Sequence, residues 1–205
     1  MIGVVDYGMG NLRSVTNALA ELGASTELVS DPARVHHFER LIIPGVGAFG
    51  QAIAAIRESG MAAALNRFRA SGHPVLGVCL GMQLMCRTSE EDGLHHGLDW
   101  FEARVVPLPR NQGYKVPHMG WNALELTGKC PLLEGIEQGS DVYFVHSYYV
   151  KCDRPHDVLA TTDYGVSFAS IIARENIYGM QFHPEKSQSI GLQLLSNFLR
   201  APALC

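Results

Sequence analysis

The stretch Gly77-Val78-Cys79-Leu80-Gly81 decides how the rest of the chain is read. It follows the apolar run Pro74-Val75-Leu76 and runs into Met82-Gln83-Leu84-Met85, which can continue as a helix. Strand, sharp turn and helix, with a cysteine at the apex and a glycine two residues to either side, is the spacing of a hydrolase nucleophile elbow with sulfur in place of oxygen. Glycine suits such a turn because side chains there would clash. The free N–H groups and partial positive charge of a helix start favour thiolate over thiol. The same five residues also describe a buried structural cysteine in a glycine-rich turn, and by themselves they do not separate the two readings.

Working outward, residues 2–6, 25–29, 40–43 and 75–78 read as short apolar strands. Residues 12–22 read as a helix with Leu12, Val15, Leu19 and Leu22 on one face, and 51–71 as helical with a break near Gly60. Asp31-Pro32 has the form of an N-cap followed by a proline at the first helical position. Strand and helix alternate up to about residue 85, the signature of an open, mostly parallel sheet flanked by helices. In such sheets ligands sit at the carboxyl ends of the strands, where the turn at Gly8, the loop at Gly45 and the elbow at Cys79 would meet. The second half differs. Residues 100–107, 120–126, 142–150, 158–162, 167–173 and 177–182 read as short strands between Pro, Gly and Asp/Asn turns, and 189–199 as a final helix. The expected fold class is therefore α/β with an added antiparallel strand region, built as a single domain over 1–205.

The chain has 205 residues, 47% hydrophobic and 18% charged, with a net charge of −4, which fits a globular protein with a substantial core. That charge offers no basic stripe for nucleic acid, and no apolar run approaches membrane-spanning length. The start, Met1-Ile2-Gly3-Val4-Val5, lacks the basic region of a secretory leader and reads as a strand at once. Five cysteines, at 79, 86, 130, 152 and 205, are odd in number and form no C-x-x-C. This fits a reduced, cytoplasmic protein, with the four outside the elbow serving as small hydrophobes or surface thiols.

Two further segments bear on the elbow. Gly45-Val46-Gly47-Ala48-Phe49-Gly50 matches G-x-G-x-x-G after a strand and before a helix. It is not the first strand–helix turn, however, and residues 66–74 hold no acidic side chain for a ribose, so a dinucleotide site is disfavoured. Beside a nucleophile, a glycine-rich loop better serves as an oxyanion hole, with the N–H of Leu80 as the other donor. The second segment is His183-Pro184-Glu185. A thiol nucleophile needs a base and the base an orienting partner. In extended backbone, residues two apart project to one side, so His183 can face Cys79 while Glu185 accepts from the other ring nitrogen. His36-His37 and His95-His96 are adjacent pairs whose side chains diverge, and no metal-ligand spacing occurs, so neither a metal nor a cofactor is expected.

These motifs resemble those of the triad-type (class I) glutamine amidotransferases: Gly77-Val78-Cys79-Leu80-Gly81-Met82-Gln83 and His183-Pro184-Glu185 carry the likeness. Pro44 to Phe49, Val116-Pro117-His118-Met119-Gly120-Trp121-Asn122 and Phe144-Val145-His146-Ser147-Tyr148 are similar to the glutaminase subunits of imidazole glycerol phosphate synthase. The likeness runs from Asp6 to the final helix. The resemblance implies hydrolysis of glutamine to glutamate and ammonia through a thioester on Cys79, with His183 as base and acid and Glu185 as its orienter. It implies glutamine contacts from Gly47, Gln83, Ser147 and Tyr148, and an oxyanion hole completed by the Val46–Gly47 peptide. It also implies docking on a separate (β/α)8-barrel cyclase of histidine biosynthesis, through His118, Trp121 and Lys186, with ammonia delivered to that partner. Met9 sits where such sequences vary, and the Gln112-Gly113-Tyr114-Lys115 lead is a mild departure. Three other readings remain beside this one. The same chemistry could supply ammonia for amidination of a surface-polysaccharide sugar. A cysteine peptidase or deglycase would carry histidine after the cysteine, where Leu80 stands. A non-enzymatic binding subunit would not need all of Cys79, His183 and Glu185.

Overall fold

The computed structural model describes residues 1–110 and 113–201, so Gln112 and Cys205 lie outside it. The first half alternates as expected: β1 (Ile2–Val5), α1 (Leu12–Glu21), β2 (Thr26–Val29), β3 (Arg40–Ile43), α2 (Phe49–Glu58), α3 (Met61–Ala70), β4 (Val75–Val78) and α4 (Leu80–Leu84). The Asp31 side chain caps the 3-10 turn Pro32–His37 by accepting from Ala33 N at 2.9 Å. Gly60, at φ 78°, makes the break between α2 and α3. The second half follows as β5 (Cys86–Ser89), β6 (His95–His96), β7 (Phe101–Pro107), β8 (His118–Ala123), β9 (Glu125–Leu126), β10 (Asp141–His146), β11 (Tyr148–Cys152), β12 (Val158–Asp163), β13 (Ser167–Arg174), β14 (Ile177–Met180) and α5 (Gln188–Arg200).

The main sheet has the order β2-β1-β3-β4-β14-β13-β12-β9. Its first five strands are parallel and the rest antiparallel. The central parallel strands are buried on both faces, which is why β1, β4 and β14 read as continuous apolar runs rather than alternating ones. Helices cover the two faces. Val15 and Leu19 of α1 and Leu194, Leu195 and Phe198 of α5 pack on one core, and Phe49, Ile53 and Leu65 of α2 and α3 on the other. Two smaller sheets, β10-β8 and β11-β7-β5-β6, complete the antiparallel region.

Two expectations are corrected, on a strand and on a cysteine. Residues 142–150 are not one strand. The run breaks at Ser147, so that β10 pairs with β8 while β11 pairs with β7. The helix expected after the elbow is present, five residues long, and gives way to β5 as the chain turns at Met85 to build the second sheet. Its macrodipole is correspondingly small. Cys79, Cys86 and Cys152 are free thiols, but Cys130 is disulfide-bonded, a pairing that spacing along the sequence did not reveal. Among the described residues no helix is long and apolar enough to cross a membrane.

Candidate active site

Strand register brings the two distant motifs together. β4 and β14 are parallel neighbours with Val78 opposite Met180. Cys79 and the segment 181–183 therefore leave the sheet side by side at its carboxyl edge, and Cys79 N donates to Met180 O at 2.7 Å. Cys79 has φ 54° and ψ −109°. That conformation costs about 1–3 kcal/mol for a non-glycine residue, and it aims the side chain out of the sheet edge. The flanking glycines allow the close packing this needs. A Cβ on Gly77 would lie 2.6 Å from Gly81 backbone atoms, and one on Gly81 would overlap the Ile43 carbonyl of the adjoining strand.

His183 borders the cleft beside Cys79, which acts on its charge, and pairs with Glu185 through Nδ1 to Oε1 at 2.9 Å. The Glu185 side chain is only 1% exposed. The expected extended geometry is corrected in detail. His183 itself is extended, but Pro184–Lys186 is a 3-10 turn, and it is the turn that folds the carboxylate back to the ring. The backbone is pinned around it. His183 N donates to Tyr143 O at 2.9 Å, and Ser187 Oγ donates to His183 O at 2.7 Å while accepting from Tyr143 N at 3.0 Å. Burial pushes the His183 pKa down, but hydrogen bonds and charge from Cys79 and Glu185 outweigh it and raise the value to about 9. The imidazole is thereby kept protonated opposite sulfur at neutral pH.

A cleft of ≈ 330 Å³ opens over Cys79. Val46, Gly47, Leu80, Gln83, Ser147 and Tyr148 all border it, together with His183 and Lys186. Gly47 has φ 105°, so the loop from β3 uses glycine for its backbone angle, while the one close neighbour of a Cβ there, Met9 Cε at 2.8 Å, is the movable end of a side chain. Gln83 donates through Nε2 to Tyr148 O at 3.0 Å and to Gln181 Oε1 at 3.1 Å, so its amide nitrogen is committed to the frame of the cleft.

The partner-facing residues divide. Along β8 the side chains alternate, so Met119 (61% exposed) and Trp121 (47%) point outward while His118 points in and is 3% exposed. His118, expected at an interface, is instead stacked between Phe144 and Tyr164 and bonded to His146. Trp121 lies edge-on to Tyr143, whose ring also sits 6.0 Å from Lys186 Nζ, placing these three on one outer face beside the cleft.

Glu91, Gln181 and His146 join the site without a role assigned to them from the sequence. Glu91 borders the cleft and caps α2 through Phe49 N at 2.7 Å. His146 lies inside the Phe144–Tyr148 segment and Gln181 two residues before His183, a proximity that could have flagged them.

A family model, glutamine amidotransferase class-I, matches residues 3–201. The chain belongs to the class-I glutamine amidotransferases. Among curated relatives, this amidotransferase is 46% identical to imidazole glycerol phosphate synthase subunit HisH of Wolinella succinogenes, over 97% of its own length and 98% of the relative's. It is 47% identical to the protein of that name from Sulfurimonas denitrificans (98% of each chain) and 46% to that from Archaeoglobus fulgidus (97% and 98%). Among solved structures the amidotransferase superposes on PurLQS from Thermotoga maritima with TM-score 0.77 at 17% identity, and on a crystal structure of glutamine amidotransferase with TM-score 0.75 at 21%, each pair covering 97% of both chains. These likenesses establish the class-I amidotransferase fold.

Proposed function

We propose that this chain is the glutaminase subunit of an imidazole glycerol phosphate synthase, hydrolysing L-glutamine to glutamate and ammonia. The observation that carries the reading is identity close to one half, across nearly the whole of both chains, with relatives of that name from three organisms.

The geometry supports a thioester route. Cys79 Sγ attacks the side-chain amide carbon of glutamine, with its proton held by His183. N–H donors of the Val46–Gly47 peptide and Leu80 stabilise the oxygen that becomes negative. His183 returns the proton to the departing nitrogen, ammonia leaves, and a γ-glutamyl thioester remains. Water, deprotonated by His183, attacks the thioester carbonyl and expels the Cys79 sulfur to give glutamate. Glu185 holds the imidazole in the required orientation. Gly47, Gln83, Ser147 and Tyr148 border the space the glutamine would fill. No step calls for a metal or cofactor.

The ammonia passes to a separate (β/α)8-barrel cyclase, which makes imidazole glycerol phosphate and aminoimidazole carboxamide ribotide, in the cytoplasm. The outer face at Trp121 and Met119, rimmed by Lys186, suits that docking: exposed aromatic and methionine side chains are enriched at interfaces, whose rims are polar. The names of the relatives favour histidine biosynthesis over the surface-sugar alternative. The test is growth of a histidine-auxotrophic host that lacks its own synthase and carries this chain with a barrel cyclase. Growth without histidine is expected, and failure with a cyclase that is active on free ammonia would overturn the pathway assignment.

A further inference from the structure

A directional chain of hydrogen bonds ends on the sulfur. His146 Nδ1 lies 2.8 Å from Tyr148 O, and a carbonyl only accepts, so Nδ1 carries the proton and Nε2 accepts. His118 Nδ1, 3.0 Å from that Nε2, is then the donor, and its own Nε2 faces Asn122 Nδ2 at 3.4 Å. Tyr148 O also receives Gln83 Nε2, which fixes which end of the Gln83 amide is nitrogen. The second hydrogen of that nitrogen goes to Gln181 Oε1, which leaves Gln181 Nε2 directed at Cys79 Sγ, 3.9 Å away. Gln181 is fully buried, and both ends of its amide are used in this way. The other sulfur contact beyond His183 is Val145 O at 3.8 Å, an acceptor that favours the protonated thiol.

Resting on the reading of Cys79 as the nucleophile, we infer that Gln181 is a positioning residue whose amide N–H selects the thiolate form of Cys79 and is held on the sulfur by Gln83 and the Tyr148 carbonyl. An amide N–H can only donate to sulfur, and donation to a charged form favours that form. The opposing preference of Val145 O makes such a donor consequential. Other ionisable groups around the sulfur are His183 with Glu185 behind it, Tyr7, whose hydroxyl is tied to Pro44 O at 2.8 Å, and Glu91 and Lys186 on the cleft wall. None of them hydrogen-bonds the Gln181 side chain, so substituting it removes one donor and leaves the rest in place.

The test is the pH dependence of Cys79 alkylation by iodoacetamide, read at the Cys79 peptide by mass spectrometry, in wild type, Gln181→Met and Gln181→Glu. Met removes the donor at similar volume. Glu keeps the acceptor for Gln83 and replaces the N–H with oxygen, so it serves as the shape-conserving variant if Met does not fold. The midpoint is expected to rise by about one unit in Met and by more in Glu. An unchanged midpoint in a folded variant, beside a reactive wild type, overturns the role of Gln181. A wild-type Cys79 no more reactive than an ordinary thiol overturns the nucleophile reading as well.

Discussion

His183 lies between Cys79 and Glu185, and both raise its pKa against the effect of burial. The ordinary histidine value is 6.5 and the folded value about 9. A raised value stabilises the fold fully below pH 6.5 and loses that contribution as pH rises through 9. Glu185 supplies part of the shift by hydrogen bond and charge, and its Oε2 has no hydrogen-bond partner, so the buried carboxylate depends on the imidazolium to balance it. Glu185→Gln should therefore lower stability against wild type by a margin that is constant below pH 6.5 and shrinks towards pH 9, as read by urea denaturation across that range. A margin independent of pH would separate Glu185 from the His183 charge. At this scale Cys79, His183 and Glu185 were legible because each lies in a short motif whose chemistry is local. Gln181 and His146 were not, because their meaning comes from what β4, β10 and β11 bring against them in space.

The elbow is an element-scale device: β4, one turn and a five-residue helix held by glycine contacts. The overlap of a Gly81 Cβ with the Ile43 carbonyl predicts that Gly81→Ala costs about 3 kcal/mol, measurable by chemical denaturation, whereas Gly72→Ala, in open space, should show only the strain of its positive φ. The strand break at Ser147 is a second device. It hands the chain from one small sheet to another and leaves Ser147 and Tyr148 over the cleft. Burial pushes the pKa of His146 down to about 3 and of His118 to about 4, so both are neutral donors and acceptors across the physiological range. His146→Phe leaves His118 Nδ1 without its acceptor, removes one of the two donors to Tyr148 O, and should cost about 1–3 kcal/mol, with little change in that penalty between pH 6 and 8. The break was hidden in the sequence because Val142 to Val150 alternates without a turn residue stronger than serine. Strands 2–5, 40–43 and 75–78 were plain, since parallel strands buried on both faces must be apolar throughout.

At the scale of the molecule, three sheets set a reactive edge next to an exposed apolar face. Met119 and Trp121 stand outward on β8 while the opposite side of that strand is locked into the aromatic core by His118. The motif that named this segment was legible, but which of its residues face outward was not, since only strand alternation in the folded sheet separates His118 from Trp121. Truncating an exposed tryptophan at an interface centre typically costs 2 kcal/mol or more, so Trp121→Ala should weaken association with the barrel cyclase about thirtyfold in calorimetric titration while leaving the melting temperature of the isolated chain within a few degrees. Unchanged association would move the docking face elsewhere.

In the proposed reaction the Cys79 sulfur carries glutamine through a thioester and the ammonia serves another chain. Glutamate release from glutamine, measured for wild type and Cys79→Ala with and without a barrel cyclase holding its nucleotide substrate, tests it most directly. Low release is expected from the chain alone, a large rise with the loaded partner, and a fall of about a thousandfold or more in the variant. Release that persists in Cys79→Ala would contradict it.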